Sequence, residues 1–353
     1  MEPSMNNNTE NLHQRKVKLQ RDKGIQKANL IASGFQFIKT FYTLLRKVPQ
    51  TDEEAKKIMR AYMEEVLHGI FFFGSIHAIP VKPEEFFPDG HHEDFKNIFP
   101  EPFEKYNTHL PVRTPYSVLL VLVVKIKSTG NMNEILQLLT ETNTFLQKPS
   151  PTDNTVWNSN DYCFDSTVVS QSYFKDPQTD KGSEMFWGAS LACKGKVERE
   201  ILIYISCIKA WNKAVAYAVH YAQTGRAIKF PNYVYSEAFR SGRRNNSPYE
   251  SIPPCLKCVS LFHNIRFIPQ SEEEHHAAWP YGNCAEAESF SKLLNTLSNV
   301  LDDVKAVING AEEPFTQEMI DFVANCQKSA AQKLKSRKFL LTEDWHFFGC
   351  CTG

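Results

Sequence analysis

VEREILIYISCIKAWNKAVAYAVHYA, residues 197–222, is the stretch on which the fold class turns. Val197, Ile201, Ile205, Ile208, Trp211, Val215, Val219 and Ala222 recur mostly three or four residues apart. That spacing marks one face of a helix, not the alternation of a strand. Gly225 stands where a C-cap glycine belongs. Cys207 and His220 lie within the run with nothing reactive near them in sequence, so both read as packing or surface residues.

Upstream, Leu30, Ile31, Phe35, Ile38, Tyr42 and Leu45 keep the same period until Pro49. Thr51 with Glu54 three residues on is a capping-box signature. It opens a second helix with Ile58, Tyr62, Val66 and Ile70 as its buried stripe. NMNEILQLLTETNTFLQK supplies a third helix, entered from Asn131 or Asn133. Between them SVLLVLVVKIK, residues 117–127, has the β-branched density of a buried strand.

Downstream of Cys284, Phe290, Leu294, Leu297, Leu301, Val304 and Ile308 read as one long helix ending at Asn309-Gly310. Pro314 and Thr316 open another, whose basic end (Lys333, Lys335, Arg337, Lys338) suits the C-terminal dipole. The sum is a helix-dominated α+β protein with a helical N-terminal part and a cysteine-containing C-terminal part with few strands. Residues 1–24 are polar and basic and read as a disordered tail. Residues 25–147 form the helical region with its one strand, 148–180 a Pro- and Asn-rich loop or linker, and 181–353 the C-terminal domain.

Lys and Arg number 40 against 40 Asp and Glu, so no global field draws this chain to nucleic acid or to an anionic membrane. The N-terminus lacks an apolar segment of signal-peptide length, and the apolar stretch from Tyr116 is shorter than the roughly 20 residues a bilayer span needs. The expected location is the cytosol or the nucleus, with no transmembrane segment. The terminal Cys350-Cys351-Thr352-Gly353 departs from prenylation tails, so membrane anchoring is not expected either. Nine cysteines, an odd count, fit reduced thiols or a metal site better than a disulfide framework.

Two cysteine elements carry chemistry. In PPCLKC, residues 253–258, Pro254 suits a helix first turn, and Cys255 and Cys258 are three apart and can point the same way. In WPYGNCAEAESFSKLL, residues 279–294, Asn283 is the expected N-cap of a helix that Cys284 opens. Helix N-termini favour thiolate over thiol. If the two meet, Cys255, Cys258 and Cys284 make a three-thiolate zinc site with a fourth position open to water, and Glu286 can shuttle that water's protons.

This layout resembles the zinc-dependent cytidine and nucleic-acid deaminase superfamily, through Cys284-Ala285-Glu286 and Pro254-Cys255-Leu256-Lys257-Cys258. The resemblance implies zinc on Cys255, Cys258 and Cys284 and proton transfer by Glu286. The elements run in the reverse of the family's order, so the implied domain is permuted. A second resemblance is to uncharacterised fish proteins that pair PPCxxC with GNCAEAE, some of them virus- or interferon-induced. It implies an antiviral effector that acts by binding.

Other readings of the same residues stand beside these. His275, His276 or His263 closes the zinc site as a fourth ligand and makes it structural, or the thiols are simply buried and hold no metal. The leading expectation is an intracellular binding or effector protein with a structural cysteine cluster, its partner a protein or a nucleic acid. The enzyme alternative is a permuted deaminase-like hydrolase. A third is a single-stranded nucleic-acid binder using Arg240, Arg243 and Arg244 with Tyr233, Tyr235 and Phe239.

Overall fold

A computed structural model describes residues 6–48, 52–127, 131–146, 164–179, 181–193, 195–242, 247–270 and 279–349. The N-terminal half contains α1 (Asn6–Leu45), α2 (Glu53–Ile76), α3 (His92–Ile98), α4 (Pro100–Lys105), α5 (Pro115–Ile126) and α6 (Met132–Leu146), with the short strand β1 (Leu110–Pro111). Asp52, not Thr51, caps α2 by accepting from the Ala55 amide at 2.7 Å. Helix α1 begins at Asn6, inside the segment whose composition reads as a disordered tail. Leu30, Phe37, Ile38 and Phe41 are packed, so the nucleus is already formed, and each further turn of Lys, Gln and Arg costs little to add.

The expected strand at 117–127 is instead α5. Thr114 accepts from the Ser117 amide at 3.2 Å as its N-cap, and Pro115 follows at the first helical position. Val118, Leu119, Leu120, Leu122 and Val123 are all fully buried. A helix buried on almost every side needs no polar face, so its sequence is a continuous apolar run with neither period.

The C-terminal half carries β2 (Val168–Phe174), β3 (Phe186–Ala189), α7 (Lys196–Ile205), α8 (Lys213–Tyr221), β4 (Ala227–Lys229), β5 (Val234–Arg240), β6 (Glu250–Ile252) and α9 (Leu256–Leu261). These are followed by β7 (Phe262–His263), β8 (Arg266–Ile268), α10 (Ala285–Thr296), α11 (Ser298–Asp302), β9 (Lys305–Ile308), β10 (Ala311–Pro314), α12 (Phe322–Ser336) and β11 (Phe347–Phe348). The run at 197–222 is two helices. A single π turn over Ser206–Ala210 ends α7, Trp211 is extended, and Asn212 caps α8 through the Ala214 amide at 3.0 Å. Both segments bury the same face, so the period survives the break. Gly225 is left-handed, as its C-cap role requires.

The long helix expected from Cys284 to Ile308 stops at Thr296. Lys305–Ile308 and Ala311–Pro314 form an antiparallel hairpin, and Asn309-Gly310 is its two-residue turn with φ of 51° and 81°. Asn-Gly is favoured there because both central residues of such a turn need positive φ.

One sheet runs β3-β2-β5-β6, with β8 parallel to β5, and a second runs β10-β9-β4-β7. Strand β2 falls inside 148–180, expected as loop, while 147–163 lie outside the described residues. Helix α10 lies across β2 and β3. At Gly188 a Cβ would meet the Ala285 carbonyl at 2.3 Å and the Ser289 amide at 2.5 Å. Ser289 Oγ is 2.8 Å from Ser172 Oγ, and Glu288 Oε2 accepts from Ser117 Oγ at 2.9 Å and the Ala189 amide at 3.0 Å. The start of α10 is therefore fixed from beneath by the sheet and from the side by α5. One apolar cluster joins the N-terminal helices to Val169, Trp187, Phe239 and Leu334, and a second surrounds Tyr217, Phe262, Phe290 and Phe322. Among the described residues no helix is long and apolar enough to cross a membrane.

Candidate metal centre

Strand β6 delivers the chain through Pro253-Pro254 to Cys255, which is the N-cap of α9 at φ −78° and ψ 156°. Cys258 sits one turn on, its amide bonded to the Cys255 carbonyl at 2.9 Å. The other start is built by a turn closed from the Asn283 amide to the Pro280 carbonyl at 3.3 Å, with Gly282 at φ 84°. A side chain on Gly282 would run into Val219, Trp211 and Ile203, so positive φ and space both require glycine. Cys284, not Asn283, is the N-cap of α10, at φ −77° and ψ 151°. The Asn283 carbonyl instead accepts from the Leu191 amide at 3.0 Å.

Both caps thus present a thiol where a capping hydroxyl or carboxylate would usually sit, and neither makes a side-chain cap bond. The Sγ of Cys255 lies 3.7 Å from that of Cys258 and 3.5 Å from that of Cys284, and all three lie within 4.8 Å of one another. Tetrahedral zinc with Zn–S bonds near 2.3 Å needs sulfurs about 3.8 Å apart. The thiols are free, and the donor set fits zinc. The three compete for protons. Hydrogen bonds from Cys258 and then Cys284 hold Cys255 well below an ordinary thiol, and the same bonds push Cys258 and Cys284 up.

Glu286 is the second residue of α10 and is 4% exposed. Burial raises its carboxyl to about 7, with the neighbouring Cys255 charge acting in the same direction. It is not part of the three-sulfur group, and among the described residues no histidine or carboxylate is. His263 turns to the Ser260 carbonyl at 3.2 Å. His275 and His276 lie outside the described residues. A cavity of about 840 Å³ is lined by Cys255, Cys284, Glu286, Trp279, Arg199 and Arg240, among others.

The sequence reading missed Trp279, Arg199 and the Asn283 side chain. Trp279 donates its indole N–H to Cys284 Sγ at 3.3 Å, and Lys257, over the Tyr281 ring, donates to the Trp279 carbonyl. Arg199 bonds the Cys193 carbonyl at 3.0 Å. Trp279 stands five residues before Cys284 and was in plain view, but only the fold shows that its N–H meets the sulfur.

Of the expected nucleic-acid residues, Arg240 is exposed at the end of β5, and Arg243 and Arg244 lie outside the described residues. Phe239 is buried, Tyr235 stacks on Tyr173 at 5.1 Å, and Arg266 covers the rings of Tyr233 and Tyr235. Cys207, His220 and Cys326 also come together, with Cys326 Sγ 3.2 Å from His220 Nδ1. Hydrogen bonding from Cys207 and then His220, against the opposing effect of burial, lowers Cys326 to about 6. His91 and His92 are engaged by Asp94 and Glu93 on the surface and join no ligand group among the described residues.

No protein-family model matches this sequence, and no curated protein or solved structure is significantly similar to it.

Proposed function

We propose that the chain is a zinc-dependent hydrolase of the deaminase-like kind, with Cys255, Cys258 and Cys284 as ligands and Glu286 as proton carrier. The observation that carries this reading is the shared cavity: Cys255, Cys284 and the buried Glu286 all line one space large enough for a small substrate. A purely structural cluster needs neither a cavity of that size nor a desolvated carboxyl beside it. The reversed order of the two elements along the chain is no obstacle, because α9 and α10 bring their first turns together whichever comes first.

Zinc bound here would supply a Lewis acid able to make water nucleophilic at neutral pH. In hydrolytic deamination water's oxygen bonds to the amino-bearing carbon, the carbon–nitrogen bond breaks, and ammonia leaves. Glu286 accepts the proton the water loses and returns it to the departing nitrogen, so it ends as it began. Glu286 is itself buried, which limits exchange of that proton with bulk water.

The test is zinc content together with ammonia release from amino-substituted nucleobases, nucleosides and nucleotides. The wild type is expected to hold one zinc per chain, Cys284→Ser to lose it, and Glu286→Ala to keep it while losing turnover. Zinc-free wild type, or undiminished ammonia release by Glu286→Ala, overturns the reading.

A second reading is a closed structural zinc site in a binding protein. It is favoured by the way the cluster ties together the first turns of two helices, 29 residues apart at Cys255 and Cys284. It predicts that stripping the metal unfolds the C-terminal half.

A further inference from the structure

Two of the polar side chains that line the cavity have a buried atom with no hydrogen-bond partner among the described residues. Arg199 lines it, and its Nε is buried with no hydrogen-bond partner among the described residues. Its neighbours on α7 are matched: Glu198 pairs with Arg337 at 2.7 Å, and Glu200 pairs with Lys333. Arg199 itself pairs with no carboxylate among the described residues. Asn283 lines the same space and leaves its Oδ1 buried and unpaired. Arg240 also lines it and is unpaired among the described residues, although Glu250 faces it across the β5–β6 ladder.

Each buried donor or acceptor left unmade costs about 1–3 kcal/mol, so such groups in a native fold call for a partner. The two orphans are of opposite kind and flank the same space. A guanidinium with free N–H groups takes an oxyanion, and an amide oxygen takes an N–H.

We infer that the cavity binds a small amino compound bearing an anionic group, a phosphate or a carboxylate. Arg199 and Arg240 hold the anion, and the Asn283 side-chain oxygen accepts from a substrate N–H. This deepens the proposed hydrolase and rests on it for the chemistry. The anion-binding claim stands on separate residues and is tested separately.

Inorganic phosphate and acetate serve as probes, titrated calorimetrically into the full chain, metal-free and zinc-loaded, at low ionic strength. At least one anion is expected to bind saturably in both metal states. Loss of a charged hydrogen bond should weaken it about tenfold or more in Arg199→Gln and in Arg240→Gln, with no change in Lys229→Gln. Tighter phosphate than acetate assigns a phosphate-bearing ligand, and the reverse a carboxylate. Arg240 is exposed, so Arg240→Gln remains informative if Arg199→Gln does not fold. Absence of saturable binding, binding only when zinc is present, or equal affinity in Arg240→Gln and wild type overturns the inference. A chain that binds phosphate but no zinc would sink the hydrolase and leave the anion site standing. Zinc without anion binding does the opposite.

Discussion

The indole N–H of Trp279 donates to the Sγ of Cys284 across 3.3 Å, joining the residue before the Pro280 turn to the thiol that caps α10. A donor aimed at a sulfur fixes its rotamer and favours the thiolate over the thiol. Outer groups of this kind set metal affinity almost as strongly as the ligands themselves.

Trp279→Phe keeps a ring of similar bulk and removes the donor. Zinc affinity is expected to fall about tenfold, read by chelator competition, with the thermal midpoint of the zinc-free protein little changed. Unaltered affinity would mean that the N–H is only a passenger at the site.

Gly188→Ala tests the seating of α10 on the sheet. Its Cβ would overlap backbone atoms of Ala285 and Ser289, which cannot swing away as a side chain can. Overpacking of this kind costs about 1–3 kcal/mol, and the first turn of α10 should shift with it. Both a lowered thermal midpoint and reduced zinc retention are expected, the second because Cys284 rides on that turn.

Gly310→Ala separates stability from the site. Nothing lies within 4 Å of where the new Cβ would stand, so the cost comes only from φ of 81°. About 1–2 kcal/mol of stability should be lost in denaturant unfolding. Zinc content should match the wild type, and a variant that lost zinc would show that the β9–β10 hairpin reaches the centre after all.

His68 makes the fold sensitive to acid. Its ring is fully buried and stacked on Phe348 at 4.1 Å. Burial pushes its pKa down to about 3, and the charges of His109 and Lys105 act in the same direction. The folded value is below the unfolded one, near 6.5, so the unfolded chain binds the extra proton first. Stability is therefore complete above about pH 6.5 and declines as pH falls toward 3. His68→Phe keeps the stack and abolishes the titration, and its thermal midpoint should fall less steeply between pH 6.5 and 4. Parallel curves for the two proteins would remove His68 as the source.

The sequence by itself determined the helix-dominated class and the short-range chemistry. Cys255 and Cys284 stand at two helix starts, with Cys258 one turn into α9 and Glu286 in the first turn of α10, because caps, prolines and i+3 spacing act over a few residues. Even there the cap moved from Asn283 to Cys284, since backbone dihedrals choose the cap and the Asn283 carbonyl was taken by Leu191. The Asn309-Gly310 turn was also legible, but helical-looking spacing from Phe290 to Ile308 masked it. Tertiary structure decided the rest. Val118 to Val123 is helix because other elements bury it on nearly every side, which no local pattern records. The approach of α9 to α10, and the cavity that Arg199, Arg240 and Asn283 share with the thiols, depend on contacts between residues far apart in the chain. Those contacts are fixed by how the sheets and helices bury apolar surface together, and that is a property of the whole fold.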